Sequence, residues 1–134
     1  LLFIQNLFYH YAHKYMHIIP KIRWMHDFQH KYIETTPTIG NAVSMAEYQV
    51  AYVLPFLIGS FIVRPSPIDL QVTVFIISSL NMFIHSQELK EMKYFSMLVS
   101  PKKHIGHHET RSGTYSAPLF DLDKILKISF KYLY

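Results

Sequence analysis

Nine histidines stand out in this chain of 134 residues. They fall at positions 10, 13, 17, 26, 30, 85, 104, 107 and 108. His13 and His17 are related as i and i+4, and so are His26 and His30. His104, His107 and His108 form an i, i+3, i+4 triplet. Side chains at these offsets share one face of a helix, so two imidazoles can reach a single ion. Imidazole nitrogen suits zinc, copper, iron and nickel. One such pair is a weak signal, because an isolated histidine is more often a core or interfacial residue. Two pairs, a triplet and the single His85 together point to a metal centre. Eight imidazoles exceed the needs of one four-coordinate ion, so two ions are expected. His10 lies on the stripe of His13 and His17 but off their i, i+4 spacing, and its loss is expected to do little.

Several other chemistries are excluded. There is no cysteine, which removes disulfides, iron–sulfur clusters and thiolate zinc sites. The four glycines, Gly40, Gly59, Gly106 and Gly113, are too scattered for a phosphate-binding loop. No glutamate precedes a histidine by three residues, as the carboxylate di-iron bundles require. The His-Glu-x-x-His protease motif is also absent. The net charge is +4, but no cluster of Arg and Lys interleaves with aromatics, so nucleic acid is not an expected partner.

The elements that must position the histidines are legible from the charge map. Half of the residues are apolar and 16% are charged. Tyr48–Val63 and Leu70–Gln87 carry no charged residue, and Arg64-Pro65-Ser66-Pro67-Ile68-Asp69 between them reads as a turn. As helices the two runs span about 24 and 27 Å at about 1.5 Å per residue, against a hydrocarbon core of about 30 Å. The expected fold is all-α: an integral membrane helical hairpin carrying histidine-rich helices at one end. Pro55 is expected to kink the first arm. Of the basic residues only Arg64 lies at the turn, so the opposite end, with the histidines, is expected to be cytoplasmic. The first arm follows two histidine pairs, and the second arm returns to His85 and the triplet. Both ends of the hairpin therefore meet on the basic side. Flanking helices are expected at 1–18 and 100–110, a helix or helical turn at 22–33, and an amphipathic tail at 119–134 that packs on the protein or the membrane surface.

On these residues the chain resembles the fatty acid hydroxylase/sterol desaturase superfamily of membrane histidine-box di-iron enzymes. His13-Lys14-Tyr15-Met16-His17 is similar to its first box and His104-Ile105-Gly106-His107-His108 to its last. Asn81-Met82-Phe83-Ile84-His85-Ser86 looks like its Asn-x3-His-Ser stretch. Ser100-Pro101 resembles its approach to the last box, and Asp123-Lys124-Ile125-Leu126 its C-terminal element. The resemblance runs from about residue 6 to residue 128. The whole of 1–134 reads as one such domain without the family's N-terminal membrane segment or segments, and the start at Leu1 fits a piece of a longer protein.

The chain also departs from the family pattern. The second box is His26-Asp27-Phe28-Gln29-His30, with Gln29 where the family has histidine. His-Pro-x-Glu has become Ser44-Met45-Ala46-Glu47, Asn6 replaces an aspartate, and Thr114 replaces the asparagine before Tyr115.

The resemblance implies two iron ions, with zinc as an occupant of a purified form. They would be held by His13, His17, His26, His30, His85, His104, His107 and His108, with Gln29, Asn81, Glu47 and Tyr115 around them. It implies O2-dependent hydroxylation or desaturation of a fatty acyl chain or sterol, with electrons from a cytochrome b5 or ferredoxin. In a eukaryote the location would be the endoplasmic reticulum membrane. Gln29 is expected to loosen the ion near His26 and His30. The alternatives are a weakened relative acting as membrane scaffold or lipid-binding protein and, less favoured by the histidine positions, a metal transporter.

Overall fold

The computed structural model describes residues 1–93 and 95–131, with side chains up to Lys127 in the last helix. Among the described residues the fold is all-helical. The nearest approach to a sheet is one isolated antiparallel bridge between Leu98 and Phe120.

Helix α1, Leu2–Ile18, ends where Pro20 forces its predecessor Ile19 into extended backbone. Two short 3₁₀ turns follow, Arg23–Met25 and Gln29–Lys31, and a third spans Pro37–Asn41. Of the helix or helical turn expected over 22–33, the structure shows the turns: two 3₁₀ segments rather than one α-helix. Its histidine pair is brought together by consecutive turns.

Helix α2 spans Met45–Val63 and α3 spans Pro67–Ile84, the two arms of the hairpin. Ser44 caps α2 by accepting from the Glu47 N–H at 3.0 Å. Pro55 lacks a backbone donor. The chain meets this with a wider π turn over Tyr48–Val53 and returns to α-helix over Leu54–Val63. The turn between the arms closes with Arg64 in the left-handed region, and Ser66, Pro67 and Asp69 form a capping box that starts α3. Leu57, Phe61 and Phe75 are 62%, 82% and 72% exposed. Apolar side chains so open to their surroundings suit lipid rather than a water-facing surface.

Helix α1 lies along α2. Its start reaches Gly59, where an added Cβ would sit 2.7 Å from Leu1, and its histidine end reaches the base of the hairpin. The core formed by Tyr9, Met16, Ala51, Ile84, Val99 and Ala117 joins α1, both arms and the C-terminal part of the chain. Helix α4, Pro101–Thr110, is capped by Ser100 and stopped by Arg111 in the left-handed region. Helix α5, Leu122–Lys131, occupies most of the expected tail, while Leu119 and Phe120 precede it. Residues 132–134 of that expectation, and its side chains from Ile128 onward, lie outside the described residues.

Candidate metal centre

The base of the hairpin gathers the eight candidate histidines into two adjoining groups. His13, His17, His26, His30 and His107 form one, and His85, His104 and His108 the other. Within each group the ligand nitrogens lie within 4.8 Å of one another. In the first, the Nε2 atoms of His13 and His26 are 2.8 Å apart, those of His26 and His30 3.0 Å, and those of His13 and His107 3.1 Å. His17 adds contacts of 3.2 and 3.3 Å. In the second, His85 Nε2 lies 3.0 Å from His104 and 3.2 Å from His108. The His30 and His108 rings, 4.9 Å apart, join the two groups.

These distances can be tested against a bound ion. With metal–nitrogen bonds of about 2.1 Å, neighbouring ligands lie about 3.0 Å apart in an octahedron and about 3.4 Å in a tetrahedron. Apart from the 2.8 Å between His13 and His26, the observed separations of 3.0 to 3.3 Å fall within that range. The outward nitrogens supply a second test. His13 Nδ1 donates to the Tyr115 carbonyl at 2.8 Å, and His85 Nδ1 to the Asn81 carbonyl at 2.7 Å. His107 Nδ1 donates to the Ser112 carbonyl at 3.3 Å, and His26 Nδ1 meets Glu47 Oε1 at 2.6 Å. A carbonyl can only accept, so the rings of His13, His85 and His107 carry the proton on Nδ1 and turn a lone pair inward at Nε2. Several lone pairs converging at 3 Å repel one another unless a cation lies among them. The donor set therefore fits metal ions. Outward bonds of this kind fix the tautomer and orientation of metal-binding imidazoles.

The electrostatics agree. Burial, reinforced by neighbouring imidazoles, pulls His17 down from the usual 6.5 to about 3 and His108 to about 2. Burial also takes His30, His85 and His107 to about 4. His13, His26 and His104 lie well below 6.5 for the same reason. Neutral imidazole is the form that binds metal.

The remaining candidates surround the two groups. Glu47 is fully buried against His26. Asn81 holds His85 through its carbonyl, and its side chain donates to the Gly40 carbonyl at 2.9 Å. The Tyr115 ring lies 5.3 Å from that of His17 and 5.7 Å from that of His107. Gln29 is buried, and its Nε2 has no partner among the described residues. His26 and His30 belong to the larger group, of five nitrogens; the smaller group is His85, His104 and His108. His10 is in neither group. Its Nδ1 is 3.1 Å from Ser116 Oγ and 3.7 Å from Asp123.

Two residues that the sequence marked only through the resemblance, Asp123 and Asn6, acquire a supporting role here. Asp123 Oδ2 accepts from the Thr114 and Ser116 hydroxyls and from the Tyr115 and Ser116 N–H groups. This bundle holds the Tyr115 carbonyl against His13. Asn6 donates to the Ala117 carbonyl and accepts from the Phe120 N–H, tying the same loop to α1. A signal existed in the Asp123 element, but its function became visible only with the loop folded back upon it.

No curated protein and no solved structure matches the chain. The sequence model of one family, described as fatty acid hydroxylase, matches residues 1–127. Together with the membrane-type hairpin and the paired imidazole clusters at its base, that match over nearly the whole chain places the protein in the fatty acid hydroxylase family.

Proposed function

We propose that the chain is an O2-dependent di-iron oxidase that hydroxylates or desaturates an unactivated C–H bond of a membrane lipid, a fatty acyl chain or a sterol. The observation that carries this reading is the convergence of two buried imidazole groups at one end of an apolar hairpin. His13, His17, His26, His30 and His107 would hold one iron, and His85, His104 and His108 the other. When bound, the iron pair supplies the oxidising power to activate O2 and remove the hydrogen atom.

The chain's own residues do the remaining work. Glu47 and the carbonyls of Tyr115, Asn81 and Ser112 hold the Nδ1 protons of their histidines and so keep each Nε2 free. Ile84, Met16 and Ile105, all fully buried, keep bulk water from the base of the hairpin. An apolar cavity of about 520 Å³ lies between α2 and α3, lined by Phe56, Leu57, Leu70 and Val74. It ends at Gly40 and Asn81, against His85. It offers a lipid chain a place beside the hairpin, with its inner end near the metal groups.

Two electrons would come from a carrier such as a cytochrome b5 or ferredoxin. The metal centre would face the cytoplasm, in a eukaryote at the endoplasmic reticulum membrane. The ligand-poor group at His85 favours a second reading, a weakened relative that keeps the fold and serves as a scaffold or lipid-binding protein.

The test is metal analysis of detergent-purified protein, followed by single-turnover oxidation of acyl and sterol lipids after chemical reduction, under ¹⁸O2. About two irons per chain and an oxidised lipid are expected; ¹⁸O in an alcohol or a new alkene identifies the outcome. Iron-loaded protein that oxidises no lipid after reduction would favour the scaffold reading.

A further inference from the structure

Large apolar side chains crowd the outer surface of the two 3₁₀ turns that follow α1. The turns that bury His26, Gln29 and His30 leave Trp24, Phe28, Tyr32 and Ile33 facing out, and Ile18 and Ile19 precede them in the open. Trp24 is 60% exposed. One side of this stretch therefore belongs to the metal groups, and the other has nothing of the described chain over it. Apolar surface of this extent marks a place where something else binds.

The position of the stretch indicates what that is. The Met25 carbonyl accepts from Ser44 Oγ at 2.5 Å, and Ser44 is the N-cap residue at the start of α2. Met45, the first residue of α2, is 74% exposed, and Tyr48 is exposed beyond it. Exposed apolar side chains thus continue from the hairpin, across the Ser44–Met25 contact, onto the turns. The turns lie at the level where α2 enters the bilayer.

The charges point the same way. Lys21, Arg23 and Lys31 are exposed among the apolar residues, and none of them forms an ion pair among the described residues. Arg23 donates to a neutral group, the His17 carbonyl, and the Lys31 ammonium lies 5.5 Å over the Phe28 ring. Asp27 is matched by Arg111 at 3.4 Å, which leaves three cations against Glu34. Indole and phenol rings have one apolar and one polar end, and they collect at the level of lipid headgroups. Lysine and arginine stems lie along apolar surface and carry their charge outward to phosphate.

We infer that the turns from Ile18 to Ile33 are an interfacial anchor, lying in the phospholipid headgroup zone that the base of the hairpin enters. Trp24, Phe28 and Ile33 reach toward the acyl chains, and Lys21, Arg23 and Lys31 meet the phosphates. The anchor holds the turns that carry His26 and His30 at a set depth beside the bilayer. It depends on the membrane hairpin but needs neither iron nor lipid oxidation.

Trp24 is the single tryptophan of the chain, so its fluorescence reads the anchor directly. The protein is placed in phosphatidylcholine nanodiscs whose acyl chains carry bromine either near the headgroup or near the chain end, with acrylamide as the aqueous quencher. Trp24 should emit to the blue of free tryptophan, lose most intensity to the bromines near the headgroup, and be partly shielded from acrylamide. The Trp24→Phe/Phe75→Trp variant moves the reporter to the exposed middle of α3, where the chain-end bromines should quench most. Three results at Trp24 overturn the anchor. Quenching by acrylamide as full as for free tryptophan, with no effect of either bromolipid, puts the turns in water. Blue emission that no quencher reduces puts protein over them. Strongest quenching by the chain-end bromines puts them in the bilayer core. In each case a position-75 reporter still quenched by bromolipid leaves the hairpin standing, whereas one that no bromolipid quenches removes the membrane insertion on which the anchor depends.

Discussion

Glu47 shows how a departure from the family pattern can leave the chemistry in place. Ser44 stands where a histidine is usual, yet its hydroxyl caps α2 and donates to the Met25 carbonyl at 2.5 Å, one residue before His26. Glu47, one turn on, is thereby aimed at His26 Nδ1. Burial pushes the Glu47 carboxyl up to about 8; Glu47→Gln keeps the shape, but its amide can present the wrong group to the ring. Metal affinity should fall about 10- to 100-fold, read by competition with a chelator. Gln29 is the contrasting case. On the proposed assignment five nitrogens would hold one ion and three the other, so mild chelation should remove the ion at His85, His104 and His108 first. Stepwise metal release, followed by the metal remaining per chain, checks this. Gln29→His should narrow the gap between the two ions if position 29 turns toward the poorer group. An unchanged release profile would place that side chain away from it.

At the scale of elements, the 3₁₀ turn Pro37–Asn41 matters more than its length suggests. An added Cβ at Gly40 would come within 2.8 Å of His85 Nδ1 and 3.0 Å of Asn81 Nδ2. Gly40→Ala should therefore push the His85 ring off its Asn81 bond and lower metal content toward one ion per chain, while the five-nitrogen group keeps its ion. Metal analysis alongside circular dichroism separates this from unfolding. The hairpin and α4 were legible in the sequence because charge-free runs, proline positions and Ser-Pro caps are local signals. The pairing of His26 with His30 was legible in effect but not in cause, since a spacing of four also arises from two successive turns around Asp27 and Phe28. The π turn before Pro55 was not legible, because proline announces a disturbance without saying how neighbouring carbonyls will accommodate it. The division of eight histidines into five and three was hidden for another reason. It depends on His107 and His108 facing different groups across a single residue step, which only the packing of α4 against α1 and α3 decides.

The whole molecule combines a neutral, buried imidazole cluster with a one-sided charge map, and each has a measurable consequence. The buried histidines have folded-state values near 2 to 4 against about 6.5 when unfolded. The unfolded chain therefore binds more protons between those limits, and stability rises with pH there. The metal-free protein should be fully stable with respect to these groups above about pH 6.5 and lose stability as the pH falls toward 4, which thermal melts across that window would show. The charge map bears on orientation. Arg64 sits at the turn of the hairpin, while the basic residues of α4, α5 and the connections after α1 gather at the metal end. Since short loops rich in lysine and arginine stay on the cytoplasmic side, the Arg64–Asp69 turn should lie across the membrane from the histidines. The chain has no cysteine, so single labels can be placed without background. Ser66→Cys preserves the turn's size but removes a capping oxygen that accepts from the Asp69 N–H at 3.2 Å, a loss of about 1 kcal/mol that the arms can absorb. In oriented vesicles, an impermeant thiol reagent should reach Cys at position 66 only from the non-cytoplasmic side, and Cys at the exposed position Lys93 only from the cytoplasmic side. Labelling of both from the same face would mean that the hairpin enters the bilayer without crossing it, and would overturn the two-span topology while leaving the metal centre untouched.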